Sequence, residues 1–134
     1  MFEKYTNSFL KDFNFESLLD KFTQKEFLSF KSGDIIFSEN DDVKDIYFLL
    51  SGEVNLCKRK NKEETELITT VHAGDIIGFC DALTTKKHYN SAVVIKDTNT
   101  FAVDKNELYN VTSKNDEFNL WVLKYLSNRI QRLE

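Results

Sequence analysis

Ile46-Tyr47-Phe48-Leu49-Leu50-Ser51-Gly52-Glu53-Val54 decides the architecture of this chain. Five apolar residues in a row are too few for a core helix and suit a strand buried on both faces. Ser51-Gly52 then interrupts the run, as a glycine able to take positive φ does at a turn. Glu53-Val54-Asn55-Leu56-Cys57-Lys58 follows with the period-two alternation of a half-buried strand. Outward from this unit the same grammar repeats. Glu26 to Lys31 alternates, and Asp34-Ile35-Ile36-Phe37 is a short apolar strand running into the polar turn Ser38 to Asp42. Asn61 to Glu64 is a charged hairpin tip, and Thr65 to His72 returns as a strand. Asp75-Ile76-Ile77, Ser91 to Ile95 and Thr98 to Val103 complete the β region. Gly33, Gly52, Gly74 and Gly78 are the only glycines, and each stands between two such runs. Many short strands at this spacing predict a mainly β fold, an antiparallel β-roll of the jelly-roll or double-stranded β-helix kind.

Helices flank the roll. Ser8 to Phe22, with Phe9, Phe13, Phe15, Leu18, Leu19 and Phe22, predicts one or two short N-terminal helices. Asp104 is placed to cap a short helix containing Leu108. Ser113 or Asn115 is placed to cap a long final helix with Asp116 and Glu117 in its first turn, where carboxylates favour the helix dipole. That helix carries Leu123, Leu126, Ile130 and Leu133 on an a/d stripe. Trp121 and Tyr125 give it a second apolar face, so it can pack on its own domain and on a partner copy at once. The 134 residues contain no proline and no Gly/Ser-rich linker, which predicts one domain: helices over 1–22, the roll over 23–104, the long helix over 113–134.

Composition excludes several functions. The mix of 41% hydrophobic and 30% charged residues is that of a globular domain. A net charge of −4 lacks the basic footprint of a stand-alone DNA-binding domain. Lys58-Arg59-Lys60 with Lys62 runs directly into Glu63 and Glu64, the pattern of a solvated hairpin rather than a phosphate patch. Cys57 and Cys80 are two thiols too far apart for a zinc or redox motif and too few for an iron–sulfur cluster, and are expected to be reduced and structural. His72 and His88 are expected at the surface, not as haem ligands. No nucleophile–base set, P-loop or metal box is present, so the chain is not read as an enzyme. With no basic and apolar leader and no membrane-length apolar run, the expected location is the cytoplasm, with no membrane partner.

From about Phe22 to Leu133 the chain resembles the cyclic-nucleotide-binding domain of the Crp/Fnr regulators. Lys31-Ser32-Gly33-Asp34-Ile35-Ile36-Phe37, Ile46 to Val54 and His72-Ala73-Gly74-Asp75-Ile76-Ile77-Gly78 are similar to successive glycine turns of that family. Asn128-Arg129-Ile130 and its neighbours are similar to its dimerisation helix. GDIIGFCDAL, followed by a loop with His and Lys, looks closer to the Fnr branch. The resemblance implies a phosphate-binding cassette entered at Gly78, Phe79, Cys80 and Asp81 and left at Asn90, Ser91 and Ala92. In nucleotide-binding members a Glu at the Phe79 position accepts the ribose hydroxyl, and an Arg at the Asn90 position pairs with the cyclic phosphate. Both charges are missing here, which implies a degenerate pocket that disfavours cAMP and cGMP. A one-residue slip would bring Asp81 to the ribose, and Lys86, Lys87 or His88 are the loop cations within reach. The implied function is the ligand-sensing domain of a transcription regulator, acting as a homodimer with a small-molecule effector and no required cofactor. The alternative is a stand-alone interaction module that does not bind DNA. The DNA-reading helix-turn-helix would follow the last helix and is expected to be absent from this chain, which stops at Glu134.

Overall fold

In the computed structural model, residues 18–133 are described, and they form two compact units. Residues 25–105 make one unit, and the segments before and after it make the other.

The first unit is a six-stranded antiparallel roll. Its strands are β1 (Glu26–Phe30), β2 (Ile35–Phe37), β3 (Asp45–Arg59), β4 (Thr65–His72), β5 (Ile76–Ile77) and β6 (Ser91–Asp104). A short helix α1 (Phe79–Leu83) lies between β5 and β6. The order β1-β6-β3-β4, with β2 on β6 and β5 on β3, follows from two long strands that change partners along their length. The start of β6 pairs with β2 at Ala92 and Val93, and its second half pairs with β1 from Thr98 to Ala102. The start of β3 pairs with β5 at Tyr47 and Phe48, and its second half pairs with β4 from Glu53 to Arg59.

Those long strands correct the sequence expectation, which divides β3 at Ser51-Gly52 and β6 between Ile95 and Thr98. The ladder between β3 and β6 runs on from Asp45↔Asp104 to Cys57↔Ser91, with register shifts around Ser51 and Glu53. Gly52 is thus a bulge inside a strand rather than a turn between two. Its φ is +100°, and a Cβ there would fall 2.6 Å from the Asp97 carbonyl oxygen and closer still to Thr98 Oγ1. A glycine run-break specifies only that φ is positive; the facing strand decides whether the chain reverses or bends. The tip at residues 60–64 does reverse the chain, held by Lys60 N donating to Glu64 O at 3.0 Å and by Asn61 Oδ1 accepting from Glu63 N and Glu64 N.

The apolar run Ile46–Leu50 serves two faces. Leu49 joins Phe37, Val54, Val71, Ile77, Ala92 and Val94 inside the roll, with Tyr47 and Leu56 packed on them. Ile46 and Phe48 are buried on the opposite face, where Phe48 stacks on Phe101 at 4.4 Å.

The helical unit contains α2 (Lys105–Lys114) and α3 (Asp116–Leu133). Leu18 and Leu19 are helical, while the rest of the helix expected over Ser8 to Phe22 lies outside the described residues. Phe22 meets Phe118 edge-on at 5.4 Å, Thr23 N and Oγ1 both donate to Glu107 Oε1, and Lys21 pairs with Glu117 at 2.9 Å. Asn115 caps α3, its Oδ1 accepting from Phe118 N at 2.8 Å; Ser113 instead donates to the Asn110 carbonyl. Phe118, Trp121, Val122 and Tyr125 recur at helical spacing and are buried. Leu123 and Ile130 on the other side are 62% and 59% exposed, Leu126 is half-buried, and the side chain of Leu133 lies outside the described part.

Candidate functional site

The segment from Gly78 to Ala92 is laid against the β2–β3 loop. Gly78 opens α1 with φ +85°, and a Cβ there would crowd the Asp45 carbonyl at 3.3 Å and His88 Cε1 at 3.4 Å. The backbone needs both the positive φ and the missing side chain to turn into α1 at this point. Phe79 then drops into the interior at 5% exposure, with Ala82 buried beside it on the same helical turn. Cys80 is an exposed free thiol, and Cys57 is a half-buried one.

Asp81 organises the loop that follows. Its carbonyl accepts from Lys86 N at 2.7 Å, and its Oδ2 accepts from Tyr89 N at 3.3 Å. The loop zips onto residues 40–43: His88 N donates to Asp41 O, Asn40 N to His88 O, and Val43 N to Lys86 O. Lys87 Nζ meets Asp42 Oδ1 at 2.8 Å, holding that carboxyl below its usual range and raising the ammonium. Lys87 is therefore committed to a carboxylate, and Lys86 is exposed with φ +63°. His72 is exposed as expected, but His88 corrects the surface assignment. It is 3% exposed and stacked on Phe37 at 3.6 Å with the rings nearly parallel. Burial pushes its pKa down and outweighs the Asp81 carboxylate, 3.5 Å from Nδ1, which pulls the other way. A stacked, neutral imidazole is not an anion partner.

At the other end of the segment, Asn90 is half-buried, and its Oδ1 is buried with no hydrogen-bond partner among the described residues. Leaving a buried carbonyl unpaired costs about 1–3 kcal/mol. Ser91 Oγ accepts from Glu39 N at 2.9 Å, and Ala92 is fully buried in the roll. Glu39 in turn binds Lys58 Nζ at 3.0 Å through Oε2 and Arg59 N at 2.9 Å through Oε1. The Arg59 amide first and the Lys58 ammonium second hold the Glu39 carboxyl below its usual range. Lys58 also donates to the Tyr89 carbonyl at 3.2 Å and lies 3.8 Å over the Tyr89 ring. Lys58 is thus a structured, half-buried cation, not part of a merely solvated hairpin. Glu39, Lys58 and Arg59 are the neighbours that the sequence did not reveal, because they reach Ser91 through the pairing of Cys57 with Ser91. Two cavities flank the segment. One, of about 370 Å³, is walled by Phe37, Tyr47 and His88 with Asp41, Asp42 and Asp45 at its edge. The other, of about 390 Å³, lies beside Ser91, Glu39 and Arg59. Among the described residues, no group of His, Cys, Asp and Glu is placed to hold a metal, and no helix is long and apolar enough to cross a membrane.

Known proteins share this fold. The catabolite activator protein of Thermus thermophilus superposes with a TM-score of 0.76 at 17% identity, over 93% of this chain and 59% of its own. The chain therefore spans less than two-thirds of the length of that protein. A transcriptional regulator from Thermotoga maritima superposes with a TM-score of 0.74 at 18% identity, over 90% of this chain and 92% of its own. A Haemophilus influenzae protein is 23% identical over 112 residues, which are 84% of this chain and 87% of that one. Residues 27–115, from β1 through the cassette segment to the end of α2, match the family model for the cyclic nucleotide-binding domain, and the chain belongs to that family.

Proposed function

We propose that this chain is the effector-sensing domain of a Crp/Fnr-type transcription regulator, with a cassette altered so that cAMP and cGMP are not held tightly. One observation carries this reading: both positions where a bound nucleotide would need charge are neutral and inward. Phe79 is 5% exposed, and Asn90 buries an unpaired carbonyl oxygen. A desolvated phosphate needs a fixed, donating cation, and each charge-assisted hydrogen bond contributes about 1.5–3 kcal/mol. Two of the three loop cations are not available to replace it, since Lys87 is bound to Asp42 and His88 is buried with its pKa lowered, while Lys86 is exposed. Asp81 is partly engaged, its Oδ2 accepting from Tyr89 N at 3.3 Å. The reading requires no haem or other cofactor.

An effector held in the roll would act by shifting α3, which supports a homodimer through its exposed stripe of Leu123 and Ile130 with Leu126 beside them. In a regulator of this type, DNA would be reached through a separate domain rather than through the roll. Thermal denaturation with nucleotide tests the cassette. A ligand of micromolar Kd at millimolar dose would add about 4 kcal/mol of stability. The expected result is no dose-dependent rise in Tm with cAMP or cGMP. A saturable rise with either nucleotide would overturn the altered-cassette reading.

A further inference from the structure

Arg59 ends β3 at the mouth of the 390 Å³ cavity, and its guanidinium makes no hydrogen bond or ion pair among the described residues. Only its backbone N–H is engaged, with Glu39 Oε1 at 2.9 Å. Glu39 pairs with Lys58 at 3.0 Å and feels the Arg59 charge only through space, so the Arg59 guanidinium N–H donors stay unengaged at the cavity wall. Hydroxyls face the same space from two other strands: Thr65 of β4, paired with Arg59 in the ladder, and Ser91 of β6, paired with Cys57. Ser91 Oγ accepts from Glu39 N, which leaves its O–H free to donate. The walls are thus a forked cation and two hydroxyl donors on separate strands of one hydrogen-bonded sheet. A planar guanidinium offers two parallel N–H donors to an oxyanion, and donors from further directions suit a tetrahedral group better than a flat carboxylate. The cavity lies in the volume range of small-molecule sites, roughly 300–1,000 Å³, and so exceeds what one phosphate group fills.

We propose that this cavity binds a small phosphate ester, its phosphate held by the Arg59 guanidinium and the hydroxyls of Ser91 and Thr65. The inference rests on the reading that residue 90 supplies no cation, and it names where a phosphate goes instead. Glu39 and Lys58 are its positioning pair, fixing the Arg59 backbone on one side and the Tyr89 carbonyl on the other.

The test is an NMR titration of 15N-labelled protein, reading backbone amides and arginine Nε–H, at ionic strength held constant with sodium chloride. The probes are inorganic phosphate, adenosine 5′-monophosphate and cAMP. Saturable shifts at Arg59 Nε and the Ser91 amide are expected with phosphate, with tighter binding of the monophosphate ester. In Arg59→Gln the affinity for both should fall by about tenfold or more, as loss of a charge-assisted pair implies. The amide spectrum itself reports whether the variant is folded. Shifts that do not saturate, or that are unchanged in Arg59→Gln, overturn the site. An ester that binds no tighter than inorganic phosphate overturns the assignment to an ester. Saturable cAMP shifts centred on Gly78 and Asn90, unaffected by Arg59→Gln, would instead sink the altered-cassette reading and leave this site standing.

Discussion

At the scale of single residues, His88 is the side chain with the sharpest consequence. Burial against Phe37 lowers its pKa from the ordinary value near 6.5, while an unfolded chain leaves it there. The folded state therefore binds fewer protons than the unfolded state as pH falls. The His88 contribution is complete above about pH 6.5 and is lost as pH drops through the folded value. Facing it are Asp81 from α1 and Asp41 from the β2–β3 loop, which both favour the charged form and moderate the loss. Thermal melts between pH 7 and 5 should fall more steeply for the wild type than for His88→Phe, which keeps a ring against Phe37. Parallel slopes would show that His88 takes no part in acid sensitivity. Phe79 and Asn90 are legible in the sequence as charge losses, because a resemblance reports identity position by position. The burial of His88 is not, since a histidine between a lysine and a tyrosine reads as a loop tip, and only the folded loop zips onto Asn40 and Asp41.

At the scale of elements, the bulge in β3 carries the roll. A methyl group at Gly52 would meet the β6 backbone at Asp97 and the Thr98 hydroxyl, and the residue would also have to hold φ at +100°. Backbone cannot yield as a flexible side chain does, so Gly52→Ala should cost about 2–4 kcal/mol, read from urea denaturation midpoints at an unchanged m-value. A cost under ~0.5 kcal/mol would mean the two strands part easily there. β4, the hairpin tip and the α3 cap are legible in the amino-acid sequence, because each is set by neighbours a few residues away. Hairpin ends, period-two alternation and an Asn followed by two acids are local signals. The continuity of β3 and β6 is not legible there, because it depends on pairing across some 45 residues, Glu53 with Lys96 and Ser51 with Asn99.

At the scale of the whole molecule, α3 has two apolar sides and one chain to cover them. Phe118, Trp121, Val122 and Tyr125 are buried, while Leu120, Leu123 and Ile130 remain open to solvent. A second copy using the same stripe would bury those side chains symmetrically. Sedimentation should find the wild type as a dimer and Ile130→Lys shifted to monomer at the same concentration; two monomers would remove the seam. The sequence by itself determined the antiparallel roll, the hairpin at residues 60–64 and the start of the last helix, all of which follow from local periodicity and turn chemistry, and it shows that Phe79 and Asn90 carry no charge. Only the tertiary structure decided which distant groups meet: Ser91 with Glu39 and Arg59, His88 with Phe37, Lys87 with Asp42. The physical reason is register. Side chains from separate strands share a site only once the ladder fixes Cys57 opposite Ser91, and that pairing is settled by closure of the whole roll rather than by any stretch of chain.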